Sequence, residues 1–148
     1  MVGASSRINA VRELYRKFAN ENTRESRGLR LLRDWLSPDQ REQFDKSGYF
    51  EVCGCVSRKR YRIYHARFAP NVYEIDGVGR LKQGLCFLPA GPLVTGDVML
   101  AQKIVLETDE RRAIAVANRF SPARDLPRML AREAISGRSR LDAMNRRH

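Results

Sequence analysis

Twenty-three of the 148 residues are arginine and five are lysine, against 17 acidic residues, giving a net charge of +11. A guanidinium group is planar, permanently charged and able to donate paired hydrogen bonds to phosphate, so polyanion binding is the first chemistry this excess offers. Two groups carry the pattern. Arg124, Arg128 and Arg132 recur every four residues, and Arg138, Arg140, Arg146 and Arg147 continue the charge beyond them. Arg128 and Arg132 share one ridge of a helix, where like charges repel by roughly 0.2–0.5 kcal/mol per pair, a cost that a line of phosphates would reverse. The second group is Arg58, Lys59, Arg60 and Arg62, at a turn between two tyrosine-bearing segments, with Tyr61 and Tyr64 beside it. Cations interleaved with aromatics are the chemistry of single-strand binders, in which phosphates pair and bases stack. Each group also has a plainer reading, as a solvated helix face with a ragged tail and as a solvated hairpin tip. A GC-rich genome, moreover, places arginine at neutral sites.

Metal and catalytic chemistry have thinner support. Cys53, Cys55, His65 and Cys86 could be drawn as a Cys₃His zinc site, since residues i and i+2 of a strand face the same way. Structural zinc sites favour C-x₂₋₄-C knuckles, however, and no second close pair follows the C-x-C here, so buried thiols are the expectation. His65 is the only internal histidine, and an enzyme built on it with a nearby Asp or Cys is a minor alternative. No Gly-rich phosphate loop, HExxH or DxDxDG motif is present, and no cofactor is expected.

The elements that would position these residues follow from hydrophobic period. Ile8, Val11, Leu14, Tyr15 and Phe18 mark an amphipathic helix over 7–19. A second runs from about Arg24 to Leu36, on a stripe of Leu29, Leu32, Trp35 and Leu36. Ser37-Pro38-Asp39-Gln40 is a capping box with proline at the first helical position, and opens a short third helix that Gly48 should end. Tyr49–Cys55 and Arg60–His65 read as strands, and Asn71–Ile75 and Arg80–Leu88 as a hairpin around Asp76-Gly77-Val78-Gly79. Alternation puts Tyr61 with Ile63 and His65 on one side of its strand, and Arg60, Arg62 and Tyr64 on the other.

A long helix is expected from Asp97 to about Asn118, capped by Thr95 or Asp97. Ala101, Ile104, Val105 and Thr108 form one face, and Met99, Leu106, Ala113 and Ala117 a second. One face would meet the sheet and the other the N-terminal helices or a second copy of the chain. Glu107 and Arg111 form a correctly oriented i,i+4 pair. After Ser121-Pro122 a short basic helix is expected up to Gly137, and residues 136–148 are too polar to fold when free.

The expected architecture is therefore α+β. N-terminal helices precede a small antiparallel sheet of three or four strands, with a long helix packed on it, in one domain over residues 1–120. A basic helical extension occupies 121–148. Charge follows that division: +4 over residues 1–36, +2 over 37–118 and +5 over 119–148. No apolar run approaches the ~20 residues that span a bilayer. Met1–Ser6 lacks the features of a secretory signal, and Val2 stands where N-myristoylation needs glycine. With an odd number of cysteines, this points to a cytoplasmic protein with reduced thiols. The expected function is a small non-enzymatic, nucleic-acid-associated protein, DNA or RNA, whose size and composition fit an accessory of phage or mobile-element machinery. Arg124, Arg128, Arg132, Arg138 and Arg140 would neutralise phosphates, supported by Arg58, Lys59, Arg60 and Arg62. The alternative is an oligomeric assembly protein using helix 97–118, with no membrane partner in either case.

Overall fold

The computed structural model describes residues 23–66, 70–87 and 91–122, with isolated positions at Asn9, Arg12, Glu13 and Arg16. Most of the expected first helix, and the C-terminal extension from residue 123 with its five candidate arginines, lie outside the described residues.

Helix α1 (Arg24–Trp35) opens with a reciprocal cap, in which Thr23 Oγ1 accepts from the Ser26 amide and Ser26 Oγ accepts from the Thr23 amide. Helix α2 (Pro38–Ser47) opens as its sequence requires. Ser37 and Gln40 cap one another at 3.1 and 3.2 Å, Pro38 occupies the first turn, and Gly48 ends the helix with φ 72°. Strands β1 (Tyr49–Cys53), β2 (Arg60–Tyr64), β3 (Val72–Ile75) and β4 (Leu81–Cys86) follow as a meander. Helices α3 (Thr95–Thr108) and α4 (Glu110–Val116) then carry the chain to β5 (Asn118–Phe120). All five strands pair antiparallel in the order β1-β2-β3-β4-β5.

The fold is α+β, with helices on one sheet face. That face supplies Phe50, Val52, Tyr61, Ile63, Val72 and Leu85 to the core, and the helices supply Leu29, Leu32, Leu36, Phe44, Met99 and Leu106. Helix α3 lies against β1 and β2 and is crossed by α1. The crossing is made close by glycine. A Cβ on Gly96 would stand 2.5 Å from the carbonyl carbon and oxygen of Gly28, so neither helix could keep its place around a methyl group. A buried amide pair holds α3 to the sheet. Asn71 and Gln102 exchange two 2.9 Å hydrogen bonds, and Gln102 Nε2 also donates to the Phe87 carbonyl. Along the outer edge of β1, the Glu51 amide donates to Gln43 and its carbonyl accepts from Gln40, so helix α2 satisfies backbone groups an edge strand would otherwise expose.

The structure departs from the sequence reading in several places; Trp35, expected on the buried stripe of α1, is 58% exposed, and Cys53 and Cys55, expected to be buried, are exposed. The helix expected over 97–118 is two helices, starting at Thr95 and broken at Asp109, whose φ of −145° and ψ of 55° are not helical. No side chain caps α3; its N-cap is Val94, not Thr95 or Asp97. Glu107 pairs with Lys103 at 2.6 Å, not with Arg111, because the break turns Arg111 onto another axis. The sheet has a fifth strand, formed where the expected helix would have ended, with Asn118, Arg119 and Phe120 opposite Cys86, Leu85 and Gly84. Of the two expected apolar faces, Met99, Leu106 and Ala113 are buried in the core, whereas Ile104 on the other remains 39% exposed.

Gly96→Ala should destabilise the protein by about 1–3 kcal/mol, the cost of overpacking a tight contact. Urea unfolding checks this; an unchanged midpoint would show that the two helices can separate freely.

Candidate functional site

The β1–β2 connection, residues 54–59, is the most constrained surface loop among the described residues. Gly54 donates its amide to the Lys59 carbonyl at 2.8 Å, and Arg58 donates back to Gly54 at 3.2 Å. Arg58 has φ 60°, the one non-glycine residue at positive φ among those described. A left-handed arginine carries roughly 1–2 kcal/mol of backbone strain, so something must hold it there.

Glu110 supplies that hold. The break at Asp109 turns the first residue of α4 beneath the turn, where Glu110 is only 3% exposed. Its Oε2 accepts from the Val56 and Ser57 amides at 2.7 and 2.8 Å. Its Oε1 accepts from the Ser57 hydroxyl and, at 2.7 Å, from the Tyr61 hydroxyl. A Cβ on Gly54 would overlap this carboxylate, so only glycine fits beside it. The Cys55 amide adds a 3.1 Å bond to the Leu106 carbonyl, tying the turn to the end of α3 as well. Burial alone would raise the Glu110 pKa. The bonds from Ser57, Tyr61 and Val56 outweigh it and hold the carboxyl down at about 2. Burial, and then the bond to Glu110, push the Tyr61 phenol up.

The four basic residues expected at this tip are not equivalent. Arg58 is exposed and the structure gives it no ion pair. Lys59 reaches Glu74 at 3.2 Å and stays half exposed. Arg60 and Arg62 both bind Glu51, at 2.5 and 2.9 Å. Arg62 also lies 4.3 Å over the Tyr49 ring and donates to the Tyr64 hydroxyl at 3.5 Å. Arg62 therefore knits the sheet face together and presents little to solvent. Burial opposes the Glu51 charge, but the two guanidinium groups prevail and keep its pKa low.

Nor do the tyrosines form an open stacking platform. Tyr61 is in the core, as alternation requires. Tyr64 packs edge-on between Tyr49 and Tyr73, at 5.2 and 5.8 Å, in a second cluster with Ala66 and Leu81.

Sequence reasoning missed Glu110, Arg111 and Arg112. All three read as part of one continuous helix until the break at Asp109 separates them. Because Ser57 and Glu110 are bonded directly, their neighbours Arg58 and Arg111 are each held within one residue of that bond. Arg111 and Arg112 are exposed, and neither pairs with a carboxylate among the described residues.

Cys53, Cys55, His65 and Cys86 do not assemble. Register places Cys53 opposite Arg60 at the turn end of the hairpin, whereas Tyr49 meets Tyr64 at the other end, next to His65. Cys53 Sγ sits 3.5 Å from the Arg58 carbonyl. The His65 ring packs 6.2 Å from that of Phe44, and Cys86 lies on β4. Among the described residues no three His, Cys, Asp or Glu side chains come together as metal ligands, and no helix is long and apolar enough to cross a membrane. His65 and Cys55 lie at opposite ends of the hairpin.

Compared with known proteins, the chain matches no family model, no curated protein and no solved structure.

Glu110 binds its proton less readily when folded, so its contribution is fully present above pH 4.5, its ordinary value, and is lost as pH falls toward about 2. Glu110→Gln should cost about 2–4 kcal/mol at neutral pH and flatten that acid limb, as followed by thermal unfolding across pH. Matching acid limbs in the two proteins would mean that the carboxyl binds its proton equally well folded and unfolded.

Proposed function

We propose that this protein is a non-enzymatic, nucleic-acid-associated module that grips the phosphate backbone through two basic elements. One is the clamped tip, with Arg58, Lys59, Arg111 and Arg112. The other is the C-terminal series Arg124, Arg128, Arg132, Arg138 and Arg140. The observation that carries the reading is the partition of charge at the tip. Arg60 and Arg62 are committed to Glu51, while Arg58, Arg111 and Arg112 are exposed, pair with no carboxylate among the described residues, and directly follow Ser57 and Glu110, which are bonded to each other. Cations in the first turn of a helix also oppose its dipole, by roughly 0.3–1 kcal/mol each at low salt, so Arg111 and Arg112 gain nothing from their own helix. An external anion would make them favourable.

Contacts of this kind position a protein on nucleic acid without reading bases. Affinity should therefore depend steeply on salt and little on sequence. A triple Arg58→Gln, Arg111→Gln, Arg112→Gln variant should reduce the slope of log K against log salt on duplex DNA by about 3 units, and replacement of the five C-terminal arginines by about 4–5. Fluorescence titration of labelled DNA and RNA at several salt concentrations checks both. Wild-type protein with no salt-dependent affinity for either polymer would overturn the proposal. A wild-type slope in one variant would remove that element from it.

A further inference from the structure

We propose that Glu110 is a positioning residue for polyanion binding, a role that rests on the reading just given. The carboxylate does not meet the ligand. It accepts four hydrogen bonds from the tip and its strand, from the Val56 amide, the Ser57 amide and hydroxyl, and the Tyr61 hydroxyl. Three consequences follow from that geometry. The turn cannot relax out of the conformation that keeps Arg58 left-handed, because its two central amides are held from below. The tip is bonded to the first residue of α4, so Arg58 and Lys59 on one side and Arg111 and Arg112 on the other directly follow the two ends of that bond. Finally, the amides that would otherwise bind an incoming anion are already occupied, which leaves the guanidinium groups as the tip's donors to phosphate.

A carboxylate is an expensive way merely to fill space, since a well-packed apolar side chain of similar volume is often as stabilising as a buried charge. What it does that an apolar group cannot is accept several directional bonds at once. Gly54 fits this account, because any side chain there would displace the carboxylate.

The test separates positioning from simple stability. Full-length wild type, Glu110→Gln, Glu110→Ala and Tyr61→Phe are titrated against a labelled duplex DNA at several salt concentrations, with folding checked by circular dichroism at each. Loss of stability alone lowers the active fraction and leaves the salt slope intact. Loss of positioning lowers the slope itself, because fewer phosphates are neutralised together. The expected result for folded Glu110→Gln is a slope smaller by about 2 units and roughly tenfold weaker binding at moderate salt. Acetate, but not chloride at equal ionic strength, should partly restore the slope of Glu110→Ala by occupying the vacated cradle. Should Glu110→Gln fail to fold, Tyr61→Phe removes a single bond and should show a smaller decrease of the same kind. A folded variant with the wild-type slope would overturn this inference while leaving the proposed function standing. Wild type that binds without salt dependence, or not at all, would overturn both.

Discussion

One buried carboxylate ties the two halves of this fold together. The sheet's first hairpin and the last helix are far apart in sequence, and Glu110 joins them by accepting bonds from residues 53 and 54 positions earlier in the chain. The interaction is favourable only because every donor is in place. A carboxylate removed from water without such partners would incur a penalty of several kcal/mol and would take up a proton. Gly54, Ser57, Tyr61 and the helix break at Asp109 are therefore linked features, since altering any one disturbs the cradle that makes the others tolerable.

The same logic sorts the protein's cations. Across the sheet, carboxylates and basic side chains satisfy each other, with Glu51 between Arg60 and Arg62 and Glu74 between Lys59 and Lys82. Such pairs reduce the charge available to a ligand. Arg58, Arg111 and Arg112 lie outside that cancellation. A basic composition by itself thus says little about where an anion would sit. The distribution of acidic partners bears on it as well.

How far the sequence revealed this varies with the range of the interactions involved. Helix α2 was legible because its signals are local: Ser37, Pro38, Gln40 and Gly48 act within a few residues. The strands and the opposite facing of Tyr61 and Tyr64 were legible from alternation, which needs no knowledge of the partner. The break at Asp109 was not. Residues 97–118 keep a helical period on both sides of it, and the reason for the break is the demand of a turn more than fifty residues away for a carboxylate. Strand β5 was hidden for a related cause, because three residues are too few to show a period and pairing with β4 decides their conformation. Among the candidate residues, Arg58 could be recognised as a tip cation. The commitment of Arg62 to Glu51 and Tyr49 could not, since it depends on cross-strand register.

Amide hydrogen exchange at Val56 and Ser57 tests the central claim most directly. Turn amides near the surface ordinarily exchange fast, and the Gly77 amide at the tip of the other hairpin, which bonds to no described residue, provides an internal comparison. If the Glu110 carboxylate holds the turn, the Val56 and Ser57 amides should be protected nearly as well as the strand amides of Phe50 and Ile63, and should lose that protection in Glu110→Gln. Exchange as fast as at Gly77 in the wild-type protein would contradict the account.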